Sequence, residues 1–418
     1  MRIDLLLVLL LASPGAYADW TWKNIAELPP APGRERHPGL AGPFVGVHND
    51  VLIIGGGANY PDAPPWNGGK KVYYDEIFVL KKTPEAGYAW HDQTYRLPGK
   101  LAYGVTISTT NGLVCIGGES RVDGETRYSK TVFTLTWDLK NEQVLLGKKL
   151  IATGYQRDEV LPLPDLPVGT TALGGALIRP RIYVAGGITP AGYTSEVWEL
   201  RLNRRIHPKG SLGGSPSGFS WRKVRPWRGP PRSHCIVARQ HDGIFESLLV
   251  LSGRNQDKDG RWNLLTDAMK YNTHTRTWLQ LGDVRLPGEA ARCLMAGTAI
   301  SDTSYRVHIL GGDGGTVFTK LNTSLPAAIQ AARDENDEGA AKSLEQQKFD
   351  LLNQHPGFGK DLISYNMLTD SWEKTGEFPQ PLPLTTTAVH WGEDIILPSG
   401  ELRPGVRSPV IWKGRYRE

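Results

Sequence analysis

Apolar positions cluster in short unbroken runs rather than at helical spacing. Six of these runs end in a glycine pair or Ser-Gly: Val51–Ile54, Leu113–Ile116, Ile182–Ala185, Leu248–Leu251, Val307–Leu310 and Ile395–Leu397. A run of three or four apolar residues closed by a turn signal reads as a strand buried on both faces. After each run comes a variable loop, then a strand bearing an aromatic residue, then in most copies a strand with a tryptophan: Trp90, Trp221, Trp278 and Trp372. The second glycines fall at 56, 118, 187, 253, 312 and 400. Each interval holds one four-stranded blade with generous loops, as in the kelch form of a β-propeller, whose repeat is about 50 residues. The pattern predicts an all-β, six-bladed kelch-type propeller in one domain over residues 19–418.

The sixth copy stops early, with only a short tail after Trp412. The strand-like stretch Trp20–Leu28 has no repeat of its own. It is expected to complete blade six and so remove an open edge at the seam. The interval before the sixth copy is the longest, and the excess lies in Thr316–Phe358. Pro326–Arg333 and Ala340–Asn353 are rich in Ala, Gln, Glu and Lys, so a helical insertion in blade five is expected. Strands of a blade alternate in direction, which puts the loops after the second strands on one face. That face would carry Ala58–Lys71 of blade one, the insertion of blade five, and Glu401–Arg407 of blade six. Loops gathered on a rigid scaffold are where function is expected, and the insertion reads as a lid.

Composition agrees with strands and turns: 48 glycines, 30 prolines and 13 tryptophans in 418 residues. The net charge of +5 is spread without a basic block, which argues against a nucleic-acid partner. Arg2, the apolar stretch Leu5–Ala12 and Ala16-Tyr17-Ala18 form a signal-peptide pattern over 1–18, pointing to a periplasmic or secreted protein. No later segment is apolar enough to span a membrane. Cys115 reads as a core thiol. Cys235 and Cys293 occupy similar points of consecutive repeats, either as free buried thiols or as a disulfide.

The loop Gly400-Glu401-Leu402-Arg403-Pro404-Gly405-Val406-Arg407 sets one carboxylate beside two guanidinium groups on a sharply turning backbone. It resembles the Gly-Glu-Ala-Lys-Pro-Gly-Leu-Arg loop of the periplasmic N-acetylneuraminate epimerases (sialic acid mutarotases). Leu362–Tyr365 through Trp372 to Glu377, Leu52–Gly57 with the loop to Tyr74, and Ala102–Val105 are similar to further family segments. The resemblance covers most of the mature chain, but with the blades in a different order, as in a circularly permuted member.

The resemblance implies a mutarotase that interconverts the α- and β-anomers of N-acetylneuraminic acid by ring opening, with no cofactor and no metal. It implies Glu401 as the catalytic proton acceptor and Arg407 as its cationic partner. Arg403 stands where the family has Lys. Arg403 or Arg407 is expected to clamp the substrate carboxylate. Tyr103, Arg36, His37, Arg232, His234 and Arg292 are further candidates for the substrate face. His241, His274 and His308 read as solvent-facing or strand-end residues, and Asp361 and Asp370 as turn residues. A mutarotase for another sugar and a non-catalytic propeller that binds glycans or protein partners remain alternatives. A sialidase would need Ser-x-Asp-x-Gly-x-x-Trp boxes, which are absent.

Overall fold

The computed structural model describes residues 19–85, 87–152, 159–202 and 219–417. The signal-peptide expectation falls outside them. Five four-stranded antiparallel sheets and one five-stranded sheet stand around one axis, so the chain is a six-bladed β-propeller. Blade one is built from Phe44–His48, Val51–Gly55, Glu76–Thr83 and Gly87–Trp90, with Tyr95–Arg96 also on its third strand. Blade five is Thr298–Ser301, Arg306–Leu310, Asp361–Asn366 and Ser371–Glu377. Blade six is Val389–Trp391, Asp394–Pro398 and Val410–Arg417, with the N-terminal strand Asp19–Glu27 paired on its outer edge.

The unbroken apolar runs are the second strands, and the packing explains them. Val51 and Ile53 point into the core shared with blade two, while Leu52 and Ile54 point into the core shared with blade six. Ile182 and Val184 alternate with Tyr183 and Ala185 between two other cores in the same way. A strand covered on both faces has no polar side, so period-two alternation disappears from the sequence.

Cys115, Cys235 and Cys293 are all buried and free. His308 is a correction to the sequence reading: it is 2% exposed. Its ring lies 3.0 Å from Asp302 Oδ2 and 2.6 Å from Ser364 Oγ. Asp361 is not a simple turn residue either, since it pairs with Arg292 and Lys374.

Two sixfold sets of residues line the axis. Gly42, Tyr103, Ala172, His234, Ala296 and Thr385 all have φ between 51° and 64°. The backbone N–H of each donates to the carbonyl of its counterpart one blade back, at 2.6–3.1 Å, and the six bonds close a circle. The second set follows the glycine pairs. Ala58, Glu119, Ile188, Arg254, Asp313 and Glu401 each form a bridge with the residue just before the corresponding collar position.

Candidate functional site

Above the collar lies a cavity of about 630 Å³. Five of its lining residues, Glu119, Ile188, Arg254, Asp313 and Glu401, come from the positions that follow a Gly-Gly or Ser-Gly pair. Tyr103 and His234 rise from the collar, and Lys71 and Tyr60 come from the blade-one loop. The blade-five insertion forms the roof. It comprises α1 (Thr316–Thr319), a π-helical stretch Lys320–Ser324, α2 (Leu325–Asp334) and α3 (Glu338–Asn353). Phe318, Leu321, Asn322, Lys348 and Leu352 of this cover face the cavity.

Glu401 sits at the start of a tight hairpin in which it pairs with Arg407. Ser399 and Gly400 enter the hairpin with φ of 56° and 102°. A Cβ at Gly400 would come within 2.8 Å of the Leu384 carbonyl, so only glycine fits. Glu401 Oε1 accepts the Gly405 N–H at 3.0 Å and lies 3.1 Å from Arg407 Nη2. Oε2 has no hydrogen-bond partner among the described residues, and the carboxylate lines the cavity. Arg407 is packed away, its guanidinium 5.0 Å from the centre of the Tyr60 ring. Its side chain is 4% exposed. Its Nε and Nη1 are buried without hydrogen-bond partners among the described residues.

On another side, Lys71 Nζ lies 3.1 Å from Glu119 Oε1 and 4.3 Å from the centre of the Tyr103 ring. Glu119 also accepts from the Tyr73 hydroxyl at 2.6 Å and from Thr171 at 3.1 Å. Burial opposes the charge on Lys71, but Tyr103, Glu119 and Tyr73 overcome it and hold the ammonium protonated. Burial raises the Tyr103 phenol, which keeps its proton. Burial pushes the His234 imidazole far down, so that ring is neutral. Burial raises the Asp313 carboxyl.

Of the residues expected from sequence, Glu401, Tyr103 and His234 line the cavity, with Arg407 directly behind Glu401. Arg403 Nη1 instead donates to the Asn353 carbonyl at 2.8 Å and ties α3 to the hairpin. Arg36, His37, Arg232 and Arg292 are not on the cavity wall. Arg36 pairs with Glu27. His37 is buried and accepts the Gly39 N–H at 2.9 Å. Arg232, fully buried, holds Asp267 in a two-pronged pair at 2.7 and 2.8 Å. Arg292 binds Asp361 at 2.7 Å. Each of these is taken by a neighbour that supports the blades. Sequence reasoning missed Lys71, Glu119, Arg254 and Asp313. The signal was present, because in five of the six blades the residue after the Gly-Gly or Ser-Gly pair lines the cavity, Ala58 being the exception.

The family described as N-acetylneuraminate epimerase matches residues 15–144 and 163–418. The chain belongs to the N-acetylneuraminate epimerase family. A relative of that name from Haemophilus influenzae (strain PittEE) is 28% identical over 280 residues, which are 66% of each chain. One from Pasteurella multocida (strain Pm70) is 25% identical over 246 residues, 59% of this chain and 57% of the other. One from Salmonella typhi is 37% identical over a shorter stretch of 120 residues, 28% of this chain and 30% of its own. The first two matches thus span two thirds or less of the relatives' own length. The solved structure titled "Structure of YjhT" overlays with a TM-score of 0.55 at 13% identity, covering 94% of this chain and 99% of that one. That likeness bears on the fold. The hairpin with Glu401 and Arg407, and the cavity it faces, all fall within the segments that match the family.

Proposed function

We propose that the chain interconverts the α- and β-anomers of N-acetylneuraminic acid by acid–base ring opening. The observation that carries this reading is the Glu401 carboxylate, held through Oε1 with Oε2 left for a ligand in a covered cavity. In the forward step Oε2 takes the proton from the anomeric hydroxyl. The bond between the anomeric carbon and the ring oxygen breaks, and the electron pair leaves on that oxygen. Tyr103, kept as a phenol by burial and lying in the field of Glu401 and Lys71, supplies a proton to the oxygen. The exposed carbonyl turns over, the ring closes on its other face, and both protons return. Opening breaks one carbon–oxygen bond and closing re-forms it, each with two proton transfers that cancel over the cycle, so the enzyme ends as it began.

The family and its relatives' names support the substrate. The order of the resembling segments supports a circularly permuted member, and the residues before Asp19 support export to the periplasm.

The test is NMR of freshly released α-anomer with wild type and Glu401→Gln at equal concentration. The amide keeps the shape but cannot take the proton. The variant is expected to bind the sugar and to lose roughly 10²–10⁴ in exchange rate. Equal rates above background would remove Glu401 from the mechanism. No exchange by wild type on any sugar, with binding retained, would leave a sugar-binding propeller.

A further inference from the structure

A sugar acid brings a carboxylate into the cavity, and the cations near the site differ in what they have free to offer. Arg403 is engaged with the Asn353 carbonyl. Arg407 gives one nitrogen to Glu401, and its other two are sealed off. Lys71 is engaged with Glu119 beneath the Tyr103 ring. Lys348 also lines the cavity, on the helical cover.

Arg254 differs from the first three in being unpartnered, and from Lys348, which also has no ion pair or hydrogen bond among the described residues, in being held by two aromatic rings. It lines the cavity, and its guanidinium has neither an ion pair nor a hydrogen-bond partner among the described residues. Two aromatic rings hold it, with the Trp262 and Phe318 centroids each 4.9 Å from its central carbon. Those rings meet edge to face at 5.2 Å. The nearby Asp313 carboxylate accepts the Gly315 N–H at 2.8 Å and takes no hydrogen bond from Arg254. Ring packing fixes the guanidinium plane while its N–H edges stay available, a pre-organised fork for a planar two-oxygen anion.

We propose that Arg254 binds the ligand's carboxylate, making the cavity selective for sugars that carry an acid group. This rests on the mutarotase reading for the identity of the sugar, but not for the charge on it. Glu401 and Arg254 act on each other electrostatically across the cavity. A 2-keto sugar acid has its carboxylate and its reacting hydroxyl on one carbon, so anion recognition at Arg254 places that hydroxyl relative to Glu401. Phe318 belongs to α1, so the roof forms part of the anion site.

The test is calorimetric titration of N-acetylneuraminate and of its methyl ester, which lacks the charge. The proteins are wild type, Arg254→Gln, Arg254→Lys and Lys348→Met. Wild type is expected to prefer the free acid by roughly 10- to 100-fold, the range for one charge-assisted pair. Arg254→Gln should lose that preference by weakening the acid alone, and Arg254→Lys should restore part of it. Should Gln disturb the packing of the two rings, the acid-to-ester ratio of the Lys variant carries the result, because it cancels any loss common to both ligands. The idea fails if wild type shows no preference, if the preference survives Arg254→Gln, or if Lys348→Met removes it instead. Preference that depends on Arg254 without anomer exchange would uphold the anion site and overturn the mutarotase reading.

Discussion

Glu401 and Arg254 both follow a Ser-Gly pair, yet they are held in opposite ways. Glu401 is clamped through Oε1 by a backbone N–H and a guanidinium, whereas the Arg254 guanidinium lies against two aromatic rings and has no hydrogen-bond partner among the described residues. The carboxylate was legible because its loop resembles a family motif. Arg254 was not, because Arg in a strand-to-loop step is ordinary, and what marks it is the arrival of Phe318 from a distant insertion. His37 shows the reverse error. Its sequence position suggested the substrate face, but it is 5% exposed, with Phe78 packed edge-on at 5.6 Å. Its Nδ1 accepts the Gly39 N–H, which requires a neutral ring. Burial lowers its pKa to about 4. In the unfolded chain the value is about 6.5. Above pH 6.5 neither state carries the proton, and the His37 contribution to stability is complete. As pH falls from about 6.5 to 4 the unfolded state gains the proton first, so up to about 3 kcal/mol of that stability is lost. His37→Gln supplies an amide oxygen to the same N–H and does not titrate. Urea unfolding at pH 7 and pH 4.5 should therefore show a smaller acid loss in the variant. Identical losses in the two proteins would mean that His37 does not stay neutral in the fold.

The far end of the helical cover is tied to two neighbouring loops through Asn353. Asn353 closes α3; its side-chain oxygen accepts from Trp66 Nε1 at 3.0 Å and its carbonyl accepts from Arg403 at 2.8 Å. Trp66 comes from the blade-one loop and Arg403 from the blade-six hairpin, so the three loops expected on one face meet at this point. At the other end of α3, the Asp337 side chain caps the helix by accepting the Ala340 N–H at 2.8 Å. The Ala- and Glu-rich parts of the insertion were readable as helix. The stretch Thr316–Ser324 was not, since threonine and a preceding Gly-Gly disfavour helix, and its packing supports it instead: Phe318 meets Trp262 edge to face at 5.2 Å and Leu321 is buried. Arg403→Ala and Trp66→Phe should each loosen the end of α3 by about 1 kcal/mol, the usual value of one such bond. Hydrogen exchange of the α3 amides should quicken in each single variant. In the double variant the effects should not be additive, because both bonds end on one residue. KM should rise while the melting temperature of the propeller changes little. Unchanged exchange in α3 would show that the cover is held by its apolar contacts alone.

At the scale of the whole ring, the question is what stops six similar blades from opening. The incomplete sixth repeat, with an unpaired strand at the other end of the chain, was readable. The collar was not, because its left-handed conformations fall on Gly, Tyr, Ala, His, Ala and Thr, which share no residue signature. The N-terminal strand runs antiparallel to Val410–Arg417 from Asp19 to Glu27, with one irregularity between Asn24 and Ala26. It also reaches beyond its own blade. Trp20 sits in the core between blades five and six, and its Nε1 donates to Thr375 Oγ1 at 3.2 Å. The Glu27 carbonyl accepts from Trp90 Nε1 of blade one at 2.8 Å. Deleting Asp19–Glu27 therefore removes packing from blades five and one as well as the outer edge of blade six, and it exposes a strand edge. The collar bonds form a closed circle, so loosening at the seam should spread to the inner strands rather than stay at one end. Native-state hydrogen exchange should show faster opening in the second strands Val51–Gly55 and Arg306–Leu310 of the flanking blades. A synthetic peptide of Asp19–Glu27 added in trans should restore protection by strand addition. Protection lost only in Val410–Arg417, with the flanking blades unchanged, would show that the first strand is an edge decoration and that the collar and inner strands hold the ring without it.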